Sequence, residues 1–463
     1  MSMVERTVRY LDERLGTASF ARKTLRKVFP DHWSFLLGEV ALFALVVIVF
    51  TGVFLTFFFT PDTRGTVYDG PYTPLKGAQV SAAYDSTMRL SFEVRAGLVM
   101  RQTHHWAALV FVAAIVIHLC RVFFTGAFRR PREVNWLIGI VLLLLAMGEG
   151  FTGYSLPDDL LSGIGLRIFY SVVLAVPLVG SWAAYLLFGG EFPAPDIISR
   201  LFVFHVMLLP ALLLGLVGLH LVVLVLQKHT QFAGPGRTER NVVGKRLWPQ
   251  QTFKSVALLF MTTAVLAGLG GLAQINPVWQ YGPYAPFNVT SPAQPDWYVG
   301  WLDGALRLAG PWAFTVFGYQ VSEIFWPAIL LPGIAFGTLT LWPWIERRFS
   351  RDQAEHHLLD RPRDAPLRTA VGVAGLLVFF IMFLEGGNDI IAVLLTVSVE
   401  SITRILQWSL LLAPLVGFVA TYVACRQLRG SHLHPAEASA GLRLLREPDG
   451  GYETASLEPT ATE

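Results

Sequence analysis

The sequence predicts an all-α integral membrane protein with eight transmembrane helices, the first four gathered into a bundle. Three observations carry this. Charged residues make up 15% of the 463-residue chain and apolar ones 53%, with a mean hydropathy of +0.51, whereas soluble domains are about a quarter charged. Apolar runs of about 20 residues, the length that crosses a ~30 Å hydrocarbon core, recur eight times. Lysine and arginine then gather in alternate connections, as cytoplasmic loops require.

Residues 1–33 are long and basic and end in "FPDHWSF", so they are expected to stay on the chain rather than act as a cleaved leader. "YLDERLGTASFARKTLRKVF" reads as an amphipathic surface helix. Spans follow at 35–59, 97–125, 134–154, 199–227, 253–275, 323–342, 367–386 and 403–425. The apolar stretch 168–188 is left out because Pro177, Pro193 and Pro195 interrupt it; it is expected to lie along the surface as part of a loop. With the N-terminus inside, segments 1–33, 126–133, 228–254, 345–368 and 426–463 hold 7, 3, 6, 6 and 4 of the 36 basic residues. The outer segments 60–96, 155–200, 277–322 and 386–402 hold at most 4, 2, 1 and none. Both termini are therefore expected in the cytoplasm. Four regions result: an amphipathic segment at 1–33, a four-helix bundle at 34–230, a second four-helix half at 231–426 and a tail at 427–463. Cys120 and Cys425 are too few for a disulfide scaffold or a zinc site, and no CxxCH motif is present.

Intramembrane histidines carry the chemistry. His104 and His118 in the second span are 14 residues apart; at about 100° and 1.5 Å per residue they share a face within ~40° and differ in depth by ~21 Å. His205 and His220 in the fourth span, 15 residues apart, repeat the arrangement. Spans two and four run in the same direction, so His104 stands level with His205, and His118 with His220. Ionisable groups are costly within a bilayer and mark function. Two facing pairs at matched depths are what two bis-histidine haems require. His105 is rotated by ~100° from His104 and is read as the non-ligand of the doublet. Arg101 and Arg121 each lie three residues from a proposed ligand, where a guanidinium can pair with haem propionates. Gly38 and Gly52 in span one, and Gly139 and Gly153 in span three, repeat the 14-residue period. Small residues admit close approach of a large group, so these helices are expected to close over two macrocycles.

The paired histidines, the glycine pairs, "GYSLP" at 153–157 and "PDWY" at 295–298 resemble the cytochrome b subunit of quinol:cytochrome c oxidoreductases. "PDWY" in place of the usual PEWY, "FPDHWSFLLGE" at 29–39 and the 15-residue spacing resemble the actinobacterial bcc type. The resemblance covers about 30–342 by motif and the last two spans by position. It implies a respiratory enzyme subunit in a bacterial plasma membrane with two non-covalent b-type haems and a quinone, for which menaquinone is favoured. Quinol would be oxidised at the outer face by a site of Pro295, Asp296, Trp297, Tyr298 and Tyr154, and quinone reduced at the inner face, contributing to proton-motive force. Implied partners are a Rieske-type iron–sulfur subunit, a c-type cytochrome, a haem–copper oxidase and a second copy of the complex, within membrane lipid; nothing invites nucleic acid.

Asp296 is the expected proton acceptor, an acid in an aromatic loop. The family continues "PWG" where Pro157 is followed here by Asp158 and Asp159, a departure in the opposite loop. At the inner face many relatives carry an acid after the lysine that opens span five; here Lys254 is followed by Ser255, and His229 lies nine residues past His220. His229, Lys254, Ser255, Asp31, His32 and Ser34 are the residues expected there. Two rival readings explain less. A di-haem relay subunit of a dehydrogenase leaves "PDWY" and the second half without a purpose, and a proton-coupled transporter leaves the paired histidine levels unexplained.

Overall fold

A computed structural model describes residues 3–16, 25–288, 293–430, 442–446 and 452–456. Part of the expected amphipathic segment, 17–24, and much of the tail lie outside the described residues. Helix α1 (Met3–Leu15) carries the described portion of that segment.

Among the described residues eight helices are long and apolar enough to cross a membrane: α2 (Trp33–Thr56), α4 (Gly97–Phe124), α5 (Glu133–Tyr154), α8 (Ile197–Gln227), α9 (Leu247–Leu272), α11 (Trp326–Ser350), α12 (Pro366–Gly386) and α14 (Val399–Arg429). All eight match expected spans within a few residues, except that α11 runs on to Ser350 through the basic "ERR" that marks the end of its apolar run. Shorter helices lie between them: α3 (Ala82–Phe92), α6 (Leu160–Leu174), α7 (Gly180–Phe188), α10 (Trp297–Leu308) and α13 (Asn388–Leu395).

The stretch expected as a surface loop is helical. Pro177 separates α6 from α7, and neither is long enough to span. Leu166 and Val173 of α6 pack with Ala184 and Phe188 of α7 and with Ile198 and Leu201 of α8. One face is thus buried on neighbouring helices, while Leu178, Trp182 and Leu186 on the other remain exposed.

The main core joins α2, α4 and α5. Ala44, Leu45, Val47 and Ile48 meet Ala107, Phe111 and Val112, with Leu143 and Ala146 closing the side. Ala44, Ala107 and Ala146 let the backbones approach between the larger side chains. Helix α8 packs on α5, and α9 packs on α4 and α2 through the buried Leu266. In the second half α12 packs on α14 and α10. Outward faces are strongly apolar, as at Leu226, Phe260, Trp408 and Leu415.

The connections at the basic end are stitched by two-residue ladders, Val28–Phe29 antiparallel to Lys245–Arg246 and Gln231–Phe232 parallel to Leu358–Leu359. Arg368 of α12 is buried there between Glu346 of α11 and Asp360. At the other end lie a hairpin of Gly65–Val67 with Gln79–Ser81 and the loop leading into α10.

Candidate functional site: two stacked cavities

Two cavities occupy the first bundle, one above the other. The first, of about 290 Å³, is lined by His104, His205, Gly52, Gly153, Arg101 and Asp296 among others. The second, of about 370 Å³, is lined by His118, His220, Gly38, Gly139, Arg121 and His229 among others. Leu45 and Phe111 line both, so a thin apolar partition separates the levels. The pairing of histidines expected from helix geometry is the pairing that the fold produces.

At the first level the imidazole rings of His104 and His205 face each other with centroids 6.1 Å apart. Two metal–imidazole bonds of about 2 Å plus two ring radii of about 1.1 Å give about 6 Å, so one iron fits between them. Their outer nitrogens are held alike. His104 Nδ1 lies 3.1 Å from the Ile48 carbonyl oxygen and 3.0 Å from Thr51 Oγ1. His205 Nδ1 lies 3.1 Å from the Glu149 carbonyl oxygen and 3.3 Å from Thr152 Oγ1. Ile48, Thr51 and Gly52 on α2 thus repeat as Glu149, Thr152 and Gly153 on α5. With Nδ1–H donating to these oxygens, Nε2 is left as the free donor toward a metal.

The four glycines lie against the imidazoles and leave room for their rings. A Cβ at Gly52 would lie 3.1 Å from His104 Cε1, and one at Gly153 only 2.4 Å from His205 Cε1. At the second level the corresponding distances are 3.3 Å from Gly38 to His118 and 3.8 Å from Gly139 to His220.

Both expected arginines are buried with unspent donors. Arg101 Nη2 donates to the Asn276 carbonyl at 3.0 Å while its Nε has no partner; Arg121 Nε and Nη2 have none among the described residues, its guanidinium lying 4.4 Å from the Phe35 ring centroid. A buried unpaired guanidinium is expensive, and acidic side chains of a bound group would satisfy it. Among the described residues no three His, Cys, Asp or Glu side chains converge to hold a metal ion. Two imidazoles per level therefore fit a metal whose remaining ligands come with a macrocycle.

Asp296, just before α10, reaches the first cavity. Its Oδ1 lies 2.9 Å from His105 Nε2, and Tyr298 Oη donates to its Oδ2 at 3.3 Å. Tyr154 also lines the cavity, its hydroxyl buried without a partner among the described residues. Pro295 and Trp297 do not line it; Trp297 packs on the bundle core, edge-on to Tyr298. Asp158 and Asp159 stay outside. Asp159 caps α6, accepting from Leu161 N at 3.1 Å and Ser162 Oγ at 2.7 Å, and burial pushes both carboxyls up to about 6.

The residues expected at the second level are dispersed. His229 lines the cavity. Asp31 pairs with Lys245 and Lys254 at an exposed edge, and His32 Nδ1 accepts from the Ser34 backbone N–H, so these side chains are engaged locally. Ser255 donates to Glu39 at 2.7 Å. Sequence reasoning missed Glu39 and Gln251 at this level, and Glu149 and Asn276 at the first. One signal is present in the chain: a Thr-Gly pair, Thr51-Gly52 and Thr152-Gly153, follows three residues after the anchoring carbonyl in each of the two outer helices.

A family profile described as "Cytochrome b(N-terminal)/b6/petB" matches residues 109–283. The chain is 47% identical over 445 residues, 95% of its length and 82% of the relative's, to the cytochrome bc1 complex cytochrome b subunit of Streptomyces coelicolor. The chain belongs to the cytochrome b subunits of cytochrome bc1 complexes. The counterpart from Mycobacterium tuberculosis is also 47% identical, over 96% of this chain and 81% of that one, and that from Corynebacterium efficiens 46%, over 96% and 82%. A chain of a hyperthermophilic respiratory complex III has the same fold, with a TM-score of 0.66, 17% identity and coverage of 91% of this chain and all of that one. The expected family and fold are thereby shown, and with them a multi-pass membrane subunit of a bacterial quinol:cytochrome c oxidoreductase and a b-type haem protein.

Proposed function

We propose that this cytochrome b carries two haems, one between His104 and His205 and one between His118 and His220, and conducts electrons from a quinol site at the outer face to a quinone site at the inner face. The observation that carries the reading is the repeated seat: facing histidines on α4 and α8, each ring against a glycine of α2 or α5, at two depths. When bound, the haems supply one-electron carriers at the two levels. Arg101 and Arg121 would hold their propionates.

At the outer level quinol gives up two protons as its electrons leave. Asp296 is placed to accept one and to hand it to His105 Nε2, while Tyr298 and Tyr154 orient the quinol hydroxyl. One electron goes to an iron–sulfur partner, the other inward past Leu45 and Phe111. The chain has two cysteines and no covalent haem motif, so an iron–sulfur subunit and a c-type cytochrome must complete the reaction. The relatives are subunits of bc1 complexes, which supports those partners; a dimeric assembly, menaquinone as substrate and a haem–copper oxidase as companion rest on the family and actinobacterial likeness. Residues 34–230 form the haem-bearing unit and 231–426 supply the "PDWY" loop. The alternation of basic loops puts both termini in the cytoplasm.

The deciding measurement is a redox-resolved spectrum of ligand variants. His104→Ala and His205→Ala should remove the same haem, and His118→Ala and His220→Ala the other. Loss of different haems by His104→Ala and His205→Ala would overturn the pairing.

A further inference from the structure

The inner cavity has one acid. Of its lining residues only Glu39, on α2, carries a carboxyl among the described residues; the other ionisable groups are His118, His220, His229, Arg121 and Arg132. Two of these histidines are committed to iron in the reading above. His229 stands edge-on to Phe29, ring centroids 4.3 Å apart. Burial first, then the positive charges of Lys27, Arg132 and Arg121, push its pKa down to about 4, so it is neutral at physiological pH and holds no imidazolium proton to donate.

Glu39 is held for use. Ser255 Oγ donates to its Oε2 at 2.7 Å and Gln251 Nε2 to its Oε1 at 3.1 Å, both from α9. Ser255 follows Lys254, whose ammonium pairs with Asp31 at the exposed edge where Lys245 also sits. The carboxyl thus has the cavity on one side and a polar route to the inner aqueous face on the other.

We propose that Glu39 is a catalytic residue of quinone reduction, donating a proton to a quinone oxygen in the inner cavity. The inference deepens the reading of that cavity as the quinone site and rests on it. Quinone takes two electrons, delivered by reduced b-type haem in successive turnovers, and two protons. One proton leaves Glu39: its O–H bond breaks, an O–H bond forms on one quinone oxygen, and the carboxylate regains a proton from water through Ser255; the second proton follows by the same route to the other oxygen once Glu39 is recharged. The acid at the mouth of span five, for which Ser255 is no substitute, is supplied from span one.

The test uses the purified complex, reduced and then mixed with a soluble naphthoquinone, with Asp296→Asn present in every variant to close the outer route. Haem oxidation is followed in the b-type band. Glu39→Gln should leave both haem spectra unchanged, slow haem oxidation by quinone at least tenfold, below even the lower edge of a general acid's usual contribution of about 10²-fold, and lose one carboxyl band from the redox-difference infrared spectrum. Glu39→Asp should recover part of the rate, and Ser255→Ala should fall between. Wild-type oxidation in Glu39→Gln, with His229→Asn or Gln251→Leu slow, would remove Glu39 and keep the site. Wild-type oxidation in all of these variants would place quinone reduction elsewhere and overturn both statements.

Discussion

The outer and inner cavities are built on one plan and differ in what surrounds it. Outside, each imidazole Nδ1 has a carbonyl and a threonine hydroxyl within hydrogen-bond reach. Inside, His118 Nδ1 and His220 Nδ1 are both buried without a hydrogen-bond partner among the described residues. The charge lining also inverts: Glu149 and Asp296 with Arg101 outside, Arg121 and Arg132 with Glu39 inside. An imidazole that donates a hydrogen bond is a more basic ligand and favours ferric iron. With haem bound at both levels as proposed, the outer haem is therefore expected to have the lower midpoint potential.

The largest effect available is the loss of a haem. In His104→Ala the surviving haem should be the one of higher midpoint potential, and in His118→Ala the one of lower. A redox titration giving the reverse order would break the electrostatic comparison while leaving the pairing intact. Next comes Asp296, the proposed proton acceptor of the outer cavity, beside His105. Asp296→Asn should keep both haems by spectrum and slow quinol oxidation about 10²–10⁴-fold, the range for removal of a general base, while Asp296→Glu keeps substantial turnover. Asp158→Asn and Asp159→Asn should stay near wild type, since neither lines the cavity; slow turnover in these instead would move the proton to the other loop.

The glycines sharpen the comparison further. A methyl at Gly153 meets His205 at 2.4 Å, whereas at Gly139 the nearest atom of His220 is at 3.8 Å, an ordinary contact. Gly153→Ala should displace the outer ligand and lower outer haem content, and Gly139→Ala should leave the inner haem in place, both read by spectrum. The smallest effect concerns the cap. Asp159→Ala should destabilise α6 by about 1 kcal/mol, a usual cost for a lost N-cap, seen as a small drop in thermal unfolding temperature. Asp159→Asn keeps the cap. Because burial raises the folded-state pKa of Asp159 to about 6, stability falls as pH rises through about 4 to 6 and is flat above; Asp159→Asn should remove that part of the pH dependence.

Much of this is legible in the order of residues. Membrane spans are fixed by composition over about 20 residues, because lipid leaves a backbone no partner but itself, and all eight helices stand where the apolar runs put them. The histidine levels follow from helical rise, since a straight helix converts sequence distance into depth. Which side chains from different helices converge is a different matter. His105 reads as a spare beside His104, yet it lies against Asp296, 191 positions away. The stretch 168–188 reads as a surface loop, yet its apolar face is buried against α8.

The inner acid illustrates the same division. Ser255 in place of an acid suggests a pocket that has lost its proton donor; in the fold Glu39, 216 positions earlier, lies in hydrogen-bond contact with it. One-dimensional regularities, apolar length, helical phase and the recurrence of histidine and glycine, dictate the eight helices, the two levels and the histidine pairs. Rotation and tilt of packed helices, which depend on side-chain volumes throughout the core, bring Glu39 to Ser255, Asp296 to His105 and a carbonyl to each outer imidazole, because those contacts join residues whose spacing along the chain carries no information about their spacing in space.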